Sequence, residues 1–376
     1  MHKSFLSARV SVLLLLGATG LTAAGTGPFS SQAQSPTADL WMYPNANNLG
    51  GGGTASTFTA LPTVYSPPEE DRLAQFVVRF NTVAAGIPAG LGVDNYDVSR
   101  IALTCILTAG GIRYDATEDP RSSYGPGSTA DPDAGRPLEV YGTGFRNNFT
   151  AATFTESSAF GPKTAGGRNA YAMSYTPAGV ARDVSNNVTG GFDSMPWAIG
   201  KIQTRPFNGG AWTQLAPGAM VPDDPNLLIA AVFELNTTLP GVANYVKTSL
   251  NQGYIWLTVS SLHSTEQQAF SGFPQFYTKE NAEHALFGFM APSLNVTYSL
   301  PVKVITFSRN ETAQTASITW NGSPGYKYTV ERSETMAVGS WTPVHSVTPT
   351  SAGNLNWSGS SPSPKSFYRI SRIVKP

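Results

Sequence analysis

Five acidic side chains, Asp115, Glu118, Asp119, Asp131 and Asp133, crowd the polar run between Arg113 and Arg136. Carboxylate and carbonyl oxygens gathered in one loop are the ligands that calcium takes, although the spacing is not that of an EF-hand. A structural calcium ion pinning this loop is therefore one expectation. The other is a solvated loop whose aspartates make turns. A second set of residues is aromatic. Trp41, Tyr43, Trp197, Trp212 and Tyr277 stand in or beside stretches rich in Asn and Gly. That setting suits stacking on sugar rings, while large aromatics of the same kind also fill the cores of β-sandwiches.

Nucleophilic catalysis finds no support, and no catalytic residue is assigned. The chain has no Gly-x-Ser-x-Gly elbow, and His2 falls in an N-terminal leader, which leaves His263, His284 and His345. His263 follows a strand and reads as a base or, more commonly, as a hydrogen-bonding residue. His284 lies near Glu280 and Glu283, but no second pair of ligands completes a zinc site. A carboxylate pair for glycoside cleavage converges in space and leaves no trace in sequence. A polysaccharide-active enzyme using carboxylates and His263 thus stands as a third-ranked reading.

Strands must position these groups. Gln75 to Phe80 alternates Phe76, Val78 and Phe80 against Arg79, and Val98 to Thr108 alternates Ile101, Leu103, Cys105 and Leu107. Glu139 to Tyr141, Ala170 to Tyr175, Leu227 to Leu235 and Tyr254 to Ser260 read as further strands. One helix is expected at about 239–252, with Thr238 as its cap, Val242, Tyr245, Val246 and Leu250 as its apolar stripe, and Gly253 as its stop. The stretch Phe273 to Tyr298 closes the large unit: an aromatic strand end, a charged corner at Lys279 and Glu280, a short helical or loop segment, then the alternating Leu294, Val296 and Tyr298. After about residue 300 the pattern shifts to short strands punctuated by turns. Ile318 to Trp320, Tyr326 to Arg332, Trp341 to Val347 and Phe367 to Val374 make a small immunoglobulin- or fibronectin-like sandwich.

Composition agrees with an all-β chain. Charged residues make up 13% of the 376, against roughly 25% in an average soluble protein, while Gly (37) and Pro (28) are abundant. Lys and Arg (24) balance Asp and Glu (24), so no electrostatic footprint points to nucleic acid. Lys3 and Arg9 followed by an apolar run at 10–16 read as a signal peptide within residues 1–33, cut after Ala24 or after Ala33. That run is shorter than the ~20 residues a bilayer span needs, so no transmembrane segment is expected in the mature chain. Cys105, the only cysteine, alternates with core residues and reads as a small buried hydrophobe.

Three stretches carry a resemblance. They are Ala38 to Pro44; Asp183-Val184-Ser185-Asn186-Asn187-Val188 with Pro196-Trp197-Ala198; and Phe276 to Asn281 with Ala291 to Tyr298. Together they resemble the large secreted β-sandwiches of the DNRLRE type found in exported proteins of Verrucomicrobia and Planctomycetes. The resemblance spans roughly 38–298. It implies a jelly-roll-like, non-catalytic module of the kind attached to polysaccharide-degrading enzymes as a carbohydrate-binding module. This chain departs from that pattern by long insertions at 113–136 and 199–226. The C-terminal stretch is similar to a fibronectin-like module.

The expectation is a large jelly-roll-like antiparallel sandwich over 38–300 with one decorating helix, followed by a small sandwich over 301–376. Its expected role is a secreted, non-catalytic protein of the cell surface or periplasm that binds carbohydrate. The rival reading is a structural or adhesive protein with a protein partner.

Overall fold

A computed structural model describes residues 10–11, 29–46, 48–59, 72–124, 135–163, 166–263, 272–300, 302–323, 326–351, 353–363 and 365–374. Where apolar and polar residues alternate, the chain forms strands, and the apolar set turns to one side. Ile101, Leu103, Cys105 and Leu107 of strand Asp97–Leu107 are all buried, as are Phe76, Val78 and Phe80 of strand Gln75–Asn81. These two faces meet. Phe76 stacks on Phe276 of the opposing sheet with centroids 5.8 Å apart and planes 16° from parallel. Each large side chain buried in this way contributes about 1.5–3 kcal/mol.

The first sheet runs in the order Ala181–Asp183, Ala170–Tyr175, Arg136–Phe145, Tyr254–Ser261, Gln75–Asn81 and Ala38–Met42. The second begins with Thr213–Gln214, Lys201–Pro206, Leu227–Glu234 and Asp97–Leu107. Beyond these lie Gln275–Tyr277 and Ser293–Ser299, both paired to Asp97–Leu107, with Thr54–Ser56 and Phe29–Ala33 outermost. Every described pairing is antiparallel except Tyr114–Asp115 with Arg136–Pro137. The chain is thus an all-β sandwich, as its composition predicted.

Two details differ from the sequence expectation. Strand Ser293–Ser299 does not end the sheet; it lies between Asp97–Leu107 and Phe29–Ala33. Helix Val242–Gln252 is preceded by Gly241 and not by Thr238. The Asn236 carboxamide oxygen accepts both the Thr238 N–H and its hydroxyl, so Thr238 is spent in a turn one step earlier. The helix does stop at Gly253, which takes the left-handed conformation at φ 88°. The short segment read as helical or loop is a second helix, Ala282–Phe287, capped by Asn281, whose side chain accepts from the Glu283 N–H.

Strands Val304–Asn310, Thr315–Gly322 and Gly353–Ser360 form one small sheet, and Tyr326–Ser333, Thr342–Val347 and Phe367–Val374 form another. Ile318, Trp320, Tyr328, Val330, Tyr368 and Ile370 are buried between them. This unit joins the large sandwich through apolar residues and through Asn321, whose Nδ2 donates to Asn95 Oδ1 at 2.6 Å.

Strand Phe29–Ala33 bears on the leader. Ala33 aligns with Leu294 and Phe29 with Tyr298, and the Phe29 and Tyr298 rings lie 5.5 Å apart. A cut after Ala33 removes this strand and bares the edge of Ser293–Ser299. A cut after Ala24 keeps it and removes the short pairing of Val10–Ser11 with Ser371 and Arg372. An exported chain is therefore expected to begin at Gly25. N-terminal sequencing of the secreted protein checks this, and a start at Gln34 contradicts it.

Candidate functional site

Of the five aromatics singled out from sequence, Tyr277 lines an open groove on the outer side of the second sheet, while Trp212 lies under Arg205 outside that lining. Tyr277 reaches it by strand alternation: Phe276 turns into the core, so its neighbour turns out. The Tyr277 hydroxyl donates to Glu283 Oε2 at 2.7 Å. Burial and this bond push the Tyr277 phenol up to about 12, so it remains a donor at neutral pH. Glu283 is presented by helix Ala282–Phe287. The segment after that helix is turned back by Gly288 (φ 76°) and by the Ala291 N–H, which donates to His284 Nδ1 at 3.0 Å. Met290 is thereby pressed onto Ile106, Leu228 and Ala230 of the sheet's outer face. Leu286, Phe287 and Phe289 are left 75%, 39% and 37% exposed.

The opposite wall comes from the 207–225 region. Phe207 is fixed by its N–H, which donates to the Asn226 carbonyl at 2.7 Å, and its ring meets Phe287 edge-on at 4.9 Å. The Arg205 guanidinium lies over Trp212 (4.7 Å) and Phe289 (5.7 Å). The groove encloses about 470 Å³ and is lined by Phe207, Tyr277, Phe287 and Met290 together with the carboxylates of Asp223, Asp224 and Glu283. Aromatic walls beside hydrogen-bonding oxygens make a site for a ligand with apolar ring faces and polar edges.

The other three aromatics are placed differently. Trp41 and Tyr43 stack on each other at 4.9 Å against Phe58, and the Trp41 indole N–H donates to the Ser56 carbonyl. They are half-buried and lie apart from the groove. Trp197 is 0% exposed, so its ring offers no face to a sugar; it is packing. Its indole N–H donates to Ser174 Oγ at 3.3 Å, and its ring lies against Tyr175 and Tyr245.

Beside Trp197 lies a second cleft of about 620 Å³, rimmed by Glu118, Lys201, Gln214, Glu234 and Asn236. Met195, at φ 51°, donates its N–H to Glu118 and its carbonyl accepts from Ser174. Glu118 is exposed as a residue, yet partial burial of its carboxyl near Glu139 and Asp193 pushes it up to about 7. Glu234 is held below its ordinary range by Arg100, which donates to it at 2.6 Å.

Among the described residues of the acidic loop, Asp115, Glu118 and Asp119 do not converge on one point. Asp115 Oδ1 accepts the Thr117 N–H, and Asp119 is bound by Arg136 and by the Tyr124 hydroxyl. Glu118 turns to Met195 instead, while Asp131 and Asp133 lie outside the described residues. Among the described residues the one convergent acidic group is a different one: Asp39, Glu156 and Glu280. An ammonium already occupies its centre. Lys279 Nζ bonds Glu156 and Glu280 and lies 3.5 Å from Asp39. The charged corner at 279–280 thus ties the closing segment to strand Ala38–Met42, since the Lys279 N–H also donates to Asp39 at 2.7 Å. Sequence carried no sign that Asp39 would be buried there.

Burial and the neighbouring Glu280 push the Asp39 carboxyl up from 3.8 to about 8. Between about pH 4 and about pH 8 the folded form retains a proton that the unfolded chain has lost, so stability falls as pH rises through that window and levels off above it. Urea midpoints near pH 5 and near pH 8 are expected to show this drop, and Asp39→Asn is expected to reduce it. An equal drop in the variant assigns the effect elsewhere.

His263 is buried, and neither ring nitrogen has a hydrogen-bond partner among the described residues. Burial and the nearby Arg136 charge lower it to about 3, so it is a neutral imidazole with little appetite for a proton. Comparison with known proteins adds no relative: no family model, curated protein or solved structure matches the chain.

Proposed function

We propose that this protein binds carbohydrate, without catalysis, in the groove between Tyr277, Phe287 and Phe207, and that it does so outside the cytoplasm. The observation that carries this reading is the exposure of Phe287 at the end of helix Ala282–Phe287, beside Asp223, Asp224 and Glu283. Sugar rings present apolar faces to such aromatics and hydroxyls to such carboxylates. Phe287 is 39% exposed beside Phe207, so its truncation affects both packing and binding, and affinity is read on the folded protein. Covering the exposed part of its ring is worth about 1 kcal/mol, or roughly 5-fold in affinity. Co-sedimentation with insoluble polysaccharides and affinity electrophoresis in soluble ones should show retention that Phe287→Ala weakens by that factor and Trp41→Ala leaves alone. Retention unaffected by Phe287→Ala, or sensitive only to Trp41→Ala, moves the site away from this groove.

A further inference from the structure

We infer that the groove selects glycans bearing free amino groups over neutral or acidic ones. This rests on the groove being the glycan site, and it comes from the charges lining it. Three carboxylates line the cavity, Asp223, Asp224 and Glu283, and no Lys or Arg does. None of the three forms an ion pair among the described residues; their recorded partners are the Asn226 amides for Asp224 and the Tyr277 hydroxyl for Glu283. The chain as a whole is balanced at 24 basic and 24 acidic residues, so this is a local bias and not a property of the surface at large.

The rings point to the same ligand. Carboxylates combined with exposed aromatic faces are the chemistry that receives an ammonium group carried on an apolar body. Arg205, which lies over Trp212 and Phe289, stands outside the groove's lining. An amino sugar supplies both parts: a ring face for Phe287 or Phe207 and an ammonium for the acids. Uronates and sulfated sugars meet three like charges instead, which disfavours them. A basic peptide shares the charge; one that docks by strand addition needs a free sheet edge. The free edges here, Thr213–Gln214, Thr54–Ser56 and Phe29–Ala33, do not line the groove, which opens on the sheet's face.

The test titrates the full chain, by calorimetry below the amine pKa, with glucosamine oligosaccharides, their N-acetylated counterparts of equal length, uronate oligosaccharides and a lysine-rich peptide. The amine form is expected to bind about 10-fold tighter than the acetylated form in low salt, narrowing as salt is raised above ~0.1 M. Asp223→Asn/Asp224→Asn/Glu283→Gln should abolish that preference by weakening the amine form more than the acetylated form, and circular dichroism confirms that the variant is folded. Equal affinity for amine and acetylated forms, a preference for uronates, tighter binding of the peptide than of the amino sugar, or a preference surviving the triple substitution overturns the inference. If acetylated sugars bind in a Phe287-dependent way without amine preference, only the charge selectivity falls. If no oligosaccharide binds, the glycan site falls with it.

Discussion

Arg72→Met is expected to destabilise the fold by about 3–5 kcal/mol, because it strands a buried carboxylate. Arg72 and Glu139 pair on the outer side of the first sheet with side chains only 1% and 2% exposed. The guanidinium also donates to Asn187 Oδ1 at 3.1 Å and to Ser260 Oγ at 3.3 Å, and it lies 5.1 Å from the Tyr141 ring centre. Burial alone would ease its proton off, yet Glu139 and Tyr141 hold it on more tightly than usual. Removing the cation leaves Glu139 without its counter-charge. Removing both charges costs less, since no uncompensated charge then remains. Urea unfolding of Arg72→Met, Glu139→Met and the double variant therefore should give strongly non-additive losses. A single variant within 1 kcal/mol of the unsubstituted protein, by the scale for buried pairs, would show that the pair is not carrying its segment.

The second large effect separates packing from binding. Trp197→Ala is expected to cost about 3–5 kcal/mol while leaving glycan affinity of the folded fraction unchanged. The ring fills the space between Tyr175 (6.1 Å, 9° from parallel) and Tyr245 (4.9 Å, edge-on). It is also why position 142 is glycine: a Cβ there would lie 2.2 Å from the indole. Gly142→Ala should accordingly destabilise through the same contact, and the two losses should not add. Thermal unfolding with parallel affinity electrophoresis checks this. Lost binding with retained stability in Trp197→Ala would return the ring to the ligand.

Much of the fold was legible because strand period and burial coincide. Ile101, Leu103, Cys105 and Leu107 announce their face, and they are the core. Helix Val242–Gln252 was visible from its stripe, but its start was not, because the Asn236 turn that claims Thr238 leaves no period in the sequence. The candidate site was legible in part. Tyr277 stands at it, while Trp212 lies outside its lining. Phe207, Phe287 and Phe289 went unnoticed because exposure is decided by how the turn at Gly288 folds back over Met290. A signal was present in Leu286-Phe287-Gly288-Phe289, an apolar cluster matching neither the helix nor the strand period. Trp197 misled for the opposite reason: its Pro- and Gly-rich neighbours suggest a loop, yet Val140 and Ser174 draw it into the interior.

Backbone hydrogen exchange with and without a bound oligosaccharide tests the central claim most directly. Protection confined to the 207–209, 223–229 and 277–290 segments is the predicted result, since these carry the groove's walls and floor. Protection centred instead on 38–58, around Trp41 and Tyr43, or on the cleft at 114–118 and 197–201, would contradict it.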